Sequence, residues 1–585
     1  MKKNILKIFI VVLGIAFVVS CSKSFLENKP IGVLDEVILT DLNGVQGLLV
    51  GAYSLLDGNG GGVNQWQASG DNWVYGSVVG GDANKGSNAG DQGDIEPLQK
   101  YNSLANNGYP DGKWKLLYTA ISRCNNTLQI LAKATSVSDA DRKAITAETK
   151  FLRGHYHFEA KRMWNNVPFV DENNKAKALA NTADIWPLIE ADFQFAFDNL
   201  PETQAQAGRA NKWAAAAYLA KVKLYRKDFT GAKTIFDNVI ANGKTAKGDK
   251  YGLNDLFHDN FDYSTKNSKE AVFQIQYSVN DGSVGNDNGN YGNQLNYPYG
   301  TGPVGCCGFF QPSLDLGNSY KVTAAGLPNV DTYNANPIVT DLGIESSDTT
   351  FKLDTRFLDP RIDWTIGRRG IPYLDWGIHV GKLWIRDQAF SGPYAPIKNV
   401  FKKSQKGSGS GTATSNWGSD QTNAINYNII RFADVLLMAA ECEVEVGSTT
   451  KALEYVNKVR TRAANPAGFV QNAAGNAPAA NYKIANYAAS DFSSKANARK
   501  LVYFERKLEL AMEGHRFFDL VRWNEFQTTL QNYVKNEEKF LGWPGGIGKV
   551  TVSATSNYFA IPQSQIDQSV LTTGGKPLLI QNPGY

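Results

Sequence analysis

Cysteine and histidine are scarce in this chain, five of each in 585 residues, and they are scattered. No C-x-x-C pair occurs and no histidine stands at ligand spacing from a cysteine, so a zinc site has no support. His155 and His157 are two apart in a helical pattern, which turns them to different faces. The rest are too dispersed to assemble a Ser/His/Asp arrangement. There is no P-loop and no H-E-x-x-H, and "GSGSG" at 407–411 has Gly409 where a nucleophile elbow needs serine. Charge is sparse as well: 20% of residues, with 60 Lys and Arg against 56 Asp and Glu. Nucleic acid demands a basic surface, and this balance supplies none. Beyond the first twenty residues no stretch is long and apolar enough to span a bilayer, which takes about 20 residues.

The one apolar run, Ile8 to Val18, is about 11 residues long and follows Lys2, Lys3 and Lys7, the pattern of a cleaved secretory signal. Its loss takes the formal charge from +4 to about +1. The tetrapeptide Val18-Val19-Ser20-Cys21 that closes it resembles a bacterial lipobox, which makes Cys21 the expected lipid-attachment site. One acyl chain holds a protein marginally, whereas the three of a mature lipoprotein hold it firmly. Cys124 and Cys442 lie among apolar neighbours and read as buried thiols. Cys306 and Cys307 are adjacent, and their redox state stays open.

What remains exceeds one hydrophobic core, roughly 250–300 residues. Two segments share a template: Ala220, Ala232, Phe236 and Val239 have the same offsets as Ala440, Ala452, Val456 and Val459. Small residues at the paired alanines let antiparallel helices approach, and the later positions keep one apolar face; the spacing is tetratricopeptide-like. Further helices are expected at 113–131, 144–164, 184–200 and 497–523. Residues 57–112 and about 245–427 instead carry Gly, Asn, Asp, Ser and aromatics with turn signals. The expected fold is mainly α, a helical-pair scaffold with an irregular, loop-rich insertion. Its divisions are a signal at 1–20, an N-terminal region at 21–245 with an early binding loop at 57–112, the insertion at 246–427 and a C-terminal helical region at 428–585. Residues 402–416 have a linker's composition.

Two chemistries compete for the functional reading. Glu505, Glu509 and Glu513 recur every four residues on the last helical segment, close to the separation of a retaining glycosidase pair. The plainer reading is a charge network with Arg506, Arg516 and Arg522 locking the terminal helices onto the repeats. The aromatic loops offer a binding platform: Trp66, Trp73 and Tyr75 beside Asp71 and Asn72, and a second group including Tyr297 and Tyr299. A sugar's C–H face packs on such rings while its hydroxyls need mixed donors and acceptors. Two or three ring contacts and a few hydrogen bonds give micromolar to millimolar affinity, which suits a repeating polymer. No cofactor is expected; the run "GNDNGNYGN" at 285–293 leaves room for a loosely held calcium, although it lacks an EF-hand's glycine and terminal glutamate.

Ordered blocks along the whole chain resemble the SusD/RagB family of nutrient-binding outer-membrane lipoproteins. They are "CSKSFLENKP" through Phe25, Leu26, Glu27 and Pro30; "WKLLYTAISRCNNTL" through Trp114, Tyr118, Ile121 and Asn125; "AETKFLRGHYHFEAKRMWNNVPFV"; "IIRFADVLLMAAECEVEVG"; "ERKLELAMEGHRFFDLVRW"; and "FAIPQSQIDQ…LIQNPGY", in which Ala560 stands where the family often has proline. The resemblance implies a helical scaffold docked on a SusC-like TonB-dependent barrel, anchored by lipid to the outer membrane and facing outward. Its ligand is usually a glycan, sometimes a peptide, and no bond is broken. The family's sites draw on the early loop, which "GDANKGSNAGDQGDIEPLQKYN" at 81–102 resembles, and on the middle insertion. Trp66, Trp73, Tyr297 and Tyr299 are then the expected stacking rings, with Asp71 and Asn72 as polar partners. A helical glycoside hydrolase and a protein-binding scaffold are the rival readings.

Overall fold

The computed structural model of the chain describes residues 39–174, 178–283, 287–412, 420–572 and 574–585. Cys21 and the leader lie outside them, as do residues 413–416 of the linker-like run. Among the described residues no helix is long and apolar enough to cross a membrane.

The chain is mainly α-helical. Among the described residues the helices of eight residues or more are α1 (Leu42–Tyr53), α2 (Gly108–Lys133), α3 (Asp139–Trp164), α4 (Trp186–Asn199), α5 (Lys212–Tyr225), α6 (Phe229–Asn242), α7 (Phe432–Val446), α8 (Thr449–Ala463), α9 (Lys495–Glu509), α10 (Arg516–Trp523) and α11 (Phe526–Glu537). Several starts are fixed by side chains that accept an otherwise orphaned amide: Ser138 from Asp141 N at 3.1 Å, Asn211 from Ala214 N at 2.9 Å and Asp228 from Gly231 N at 2.9 Å. From α2 to α8 each helix packs on the next. All eight template residues, Ala220 to Val459, are fully buried, so the alanines admit close helix approach as their spacing predicts.

The two template copies lie far apart in sequence, yet α6 packs directly on α7. The array is therefore continuous, and the insertion leaves it at one doorway. There β2 (Ala271–Ile275) runs antiparallel to β6 (Tyr427–Arg431), pairing Ala271 with Arg431 and Ile275 with Tyr427. Within the insertion, β4 (Ile366–Gly367) pairs with β5 (Ala395–Pro396), and β3 (Phe309–Pro312) reaches back to β1 (Ala83–Gly86) of the early segment. The early segment and the insertion thus form one lobe on the helical scaffold.

The helix expected over 497–523 is broken. α9 stops at Glu509, and the chain turns through Met512 (φ 64°) and Gly514 (φ 71°) before α10. The cause is the early segment, which packs into the gap: a Cβ on Gly76 would lie 1.8 Å from Gly514 O, and one on Gly514 would lie 2.0 Å from Asp71 O. Met512 N then donates to Asp82 Oδ2 and Gly514 N to Ser77 Oγ, replacing the helical bonds. Glu513 accordingly leaves the face it was expected to share with Glu505 and Glu509.

Candidate ligand-binding surface

Most of the rings expected to stack on a ligand are interior. Trp66 is 8% exposed, Trp73 and Tyr75 1% each, and Tyr297 not at all. Trp66 stacks on Tyr291 with centroids 6.1 Å apart, Trp73 packs against Phe309 and Phe310, Tyr75 meets Phe559 edge-on, and Tyr297 meets Phe401. The two phenols are engaged too: Tyr75 OH donates to Gln67 O, and Tyr297 OH accepts from Asn423 Nδ2 at 2.7 Å. Asp71 and Asn72 are buried beside them. Asp71 accepts from Ser69 Oγ, Trp73 N and Asn293 Nδ2, and burial raises its pKa despite those bonds. Asn72 Nδ2 donates to Glu159 Oε2 at 2.9 Å. Trp66, Asp71 and Trp73 form the seam between the early segment and the insertion, whereas Asn72 faces α3 and Tyr75 the C-terminal segment. A lobe with so little regular structure has few aliphatic faces to bury, and large rings fill it instead. The stacking role expected for them is corrected accordingly.

Tyr299 differs, because it is half-exposed at the lobe surface. Its backbone N donates to Trp384 O at 2.8 Å, which fixes the loop against residues 383–386. The Arg386 guanidinium lies over its ring, 5.2 Å from the centroid. Arg386 Nη1 donates to Ser87 Oγ at 2.8 Å and is ion-paired to Asp91, and Ser87 Oγ donates in turn to Asp91 Oδ2. Lys85 Nζ gathers the carbonyls of Asn88 and Asp91 at 2.8 Å each, tying the early loop into a ring around its ammonium. Leu383, 58% exposed, stands beside Gly300. The β1–β3 pairing holds both sides together, and Ser87 N donates to Gly308 O. The two segments the sequence singled out, 81–102 and the middle insertion, therefore meet here. A half-exposed phenol, an exposed aliphatic and a partly exposed guanidinium and carboxylate share one open face, and the buried Ser87 hydroxyl braces the ion pair from beneath. Arg386, Ser87, Asp91 and Leu383 escaped sequence reading, since nothing local to "KLWIRDQ" marks an arginine that partners a residue almost 300 positions earlier.

Cys306 and Cys307 are joined to each other by a disulfide in this same loop, between Gly305 and Gly308. Cys306 is half-buried and Cys307 is buried, and Cys307 N donates to Leu295 O at 3.1 Å. Cys124 and Cys442 are free, buried thiols. Of the calcium-like run, residues 285 and 286 lie outside the described residues. Asn288 and Asn290 spend their carboxamide oxygens on the backbone N–H groups of Asn280 and Asn293. Among the described residues no group of three His, Cys, Asp or Glu is placed to hold a metal.

The glutamate ladder is interior. Glu505, Glu509 and Glu513 join Glu270 and Asp359 in a closed network with Arg361, Arg431, Arg460, Arg462 and Lys398, all buried. The cations are not the expected ones: Arg506 and Arg522 serve Asp434, Asp519 and Glu441 instead, and Arg516 lies against Trp523. Burial alone would raise Glu509 and Glu513, but the surrounding guanidiniums, with Lys398 at Glu513, hold both below the ordinary carboxylate range. A general acid needs the opposite shift and contact with substrate. The network locks insertion, repeats and terminal helices together.

Residues 34–224 match the family described as starch-binding, associating with the outer membrane, and residues 269–585 match the SusD family. A SusD-like protein of Formosa agariphila, P25, is 25% identical over 90% of this chain and 92% of its own. A SusD superfamily protein of Bacteroides vulgatus superposes with a TM-score of 0.65 at 20% identity, over 93% of this chain and 99% of its own. A structure titled as a laminarin-binding SusD-like protein gives 0.62 at 21% identity, over 93% and 100%. Surface glycan-binding protein A of Bacteroides thetaiotaomicron, in complex with laminarihexaose, gives 0.60 at 20% identity, over 92% and 99%.

Proposed function

The chain belongs to the SusD family, and from that premise we propose that it is a cell-surface glycan-binding lipoprotein. It is held to the outer membrane by lipid on Cys21, captures oligo- or polysaccharide without cleaving it, and passes the ligand to a SusC-like TonB-dependent transporter. It needs no cofactor. The observation that carries the reading is the open face on which Tyr299 and Leu383 stand beside the Arg386–Asp91 pair. A ring and an aliphatic accept the C–H face of a sugar, and Arg386 and Asp91 offer a donor and an acceptor to its hydroxyl rim. An open face, unlike an enclosed pocket, lets a long polymer pass across it. Relatives of similar fold that bind laminarin support a β-glucan as the first ligand to try.

Affinity electrophoresis and calorimetry against a polysaccharide panel including laminarin, with reducing-end assays alongside, test it. Retarded migration without new reducing ends is expected. Tyr299→Ala with Arg386→Ala should abolish the retardation, while Tyr297→Phe, inside the lobe, should leave it unchanged. Sugar release would replace the reading with a hydrolase. Binding to no glycan would turn it toward a peptide ligand or a scaffold, and a double variant that binds like the parent removes the site.

A further inference from the structure

A second cleft lies on the helical scaffold, where α3, α5 and α10 all end. Its volume is about 330 Å³, at the small end of the range for ligand pockets and suited to a sugar unit rather than a chain. The rings of Trp186, Tyr225 and Tyr558, all half-buried, stand in its wall. Its charged lining is of one sign: Lys161, Arg162, Lys227 and Arg522 face it, and no carboxylate does. The acids that balance Arg162 and Arg522 are Glu159, Glu441 and Asp519, buried groups outside the lining, and Asp184, which pairs with Lys161, is also outside it. The remaining polar lining is largely amide, from Asn165, Asn524 and Asn557.

Polar capacity is left unused there. Among the described residues the exposed Lys227 ammonium and the carboxamides of Asn524, exposed, and Asn557, half-exposed, have no protein hydrogen-bond or ion-pair partner and are open to a ligand. The helix ends add a separate observation. Asn165, Lys227 and Asn524 each turn the chain through left-handed backbone, with φ of 56°, 61° and 61°. Asparagine and glycine are the residues that end helices this way. Lysine at 227 forgoes that preference, so ending α5 does not by itself account for it.

We propose that this cleft binds a carboxylate-bearing sugar, a uronic acid unit of an acidic oligosaccharide. The carboxylate is received by Lys227 and the neighbouring donors, and the C–H face of the ring lies on Trp186 and Tyr558. A neutral sugar would leave the Lys227 charge without an anion, whereas a carboxylate pairs with it. The inference rests on the reading of the chain as a glycan binder but uses a different surface from the Tyr299 face.

The test measures binding of digalacturonate, of its carboxyl-reduced neutral counterpart and of laminarihexaose to the full chain by calorimetry. Digalacturonate should bind and its reduced counterpart should not. Lys227→Asn keeps a residue tolerant of the left-handed turn while removing the charge; it should weaken digalacturonate about ten-fold or more, as loss of a charge-assisted hydrogen bond does, and Lys227→Arg should restore most of it. Laminarihexaose should be indifferent to Lys227→Asn, and digalacturonate indifferent to Tyr299→Ala. Equal binding of the reduced sugar, or an unchanged affinity in Lys227→Asn, overturns the proposal. Failure of laminarihexaose to bind would count against the Tyr299 face alone.

Discussion

Replacing Arg431 by methionine removes one charge from the closed network while keeping much of the side chain's length. Five cations, Arg361, Lys398, Arg431, Arg460 and Arg462, face five carboxylates, Glu270, Asp359, Glu505, Glu509 and Glu513. Arg431 alone bonds Glu270 at 2.9 Å, Glu509 at 2.6 Å and Glu513 at 2.8 and 2.9 Å, and its Nη2 also reaches Glu509 O. Without it a buried carboxylate is left uncompensated, and breaking a buried pair from one side costs about 3–5 kcal/mol. The pH dependence has a definite sign. In the parent, Glu509 and Glu513 have folded pKa values below their unfolded ones, so their stabilising contribution is present above the unfolded value and fades as pH falls through the folded one. In Arg431→Met burial takes over, at least one carboxylate rises above its unfolded value, and acidification toward that raised value stabilises the variant. The gap between the proteins is therefore widest near pH 8 and narrows by pH 5. Urea denaturation at the two pH values measures it. A variant within about 1 kcal/mol of the parent at pH 8, far below the cost of a broken buried pair, or a gap that widens on acidification, refutes the reasoning.

Gly514→Ala should yield little folded protein, because its Cβ would meet Asp71 O at 2.0 Å where neither backbone can give; Gly475→Ala, also left-handed (φ 69°) but in open space, should cost only the local backbone strain, about 1–2 kcal/mol. Thermal melts of the two variants compare them directly, and equal melts would contradict the tight packing at the break. Alkylation of the native protein followed by peptide mass spectrometry should label none of Cys124, Cys442, Cys306 and Cys307; unfolding without reductant should expose only the first two, and reductant should then add the adjacent pair.

Sequence spacing reported the scaffold well because helix pairing is a local rule: a small residue where helices touch and an apolar row behind it suffice to mark Ala220 with Ala232 and Ala440 with Ala452. The break after Glu509 was hidden because Met512 and Glu513 continue the helical pattern, and only Gly514 hints at a turn that the distant Gly76 imposes. The aromatic lobe misled for a different reason. Gly, Asn and Ser in quantity read as surface, yet Trp73 and Tyr297 are core residues whose neighbours arrive from hundreds of positions away. Exposure there is decided by which segments meet, and Tyr299, two residues beyond Tyr297, falls on the other side of that boundary. The location of the Tyr299 face was foreshadowed by the early loop and the insertion; its polar members were not.

The doorway formed by β2 and β6 has a consequence for how such a chain changes over generations. A cassette entering and leaving at one pair of strands can be exchanged without re-threading the helices on either side. The β1–β3 pairing and the seam of Trp73 against Phe309 and Phe310 qualify that freedom. A newcomer must also fit residues 66–86 and supply the cations for Glu505, Glu509 and Glu513, so three distant stretches of the gene have to be inherited as a matched set.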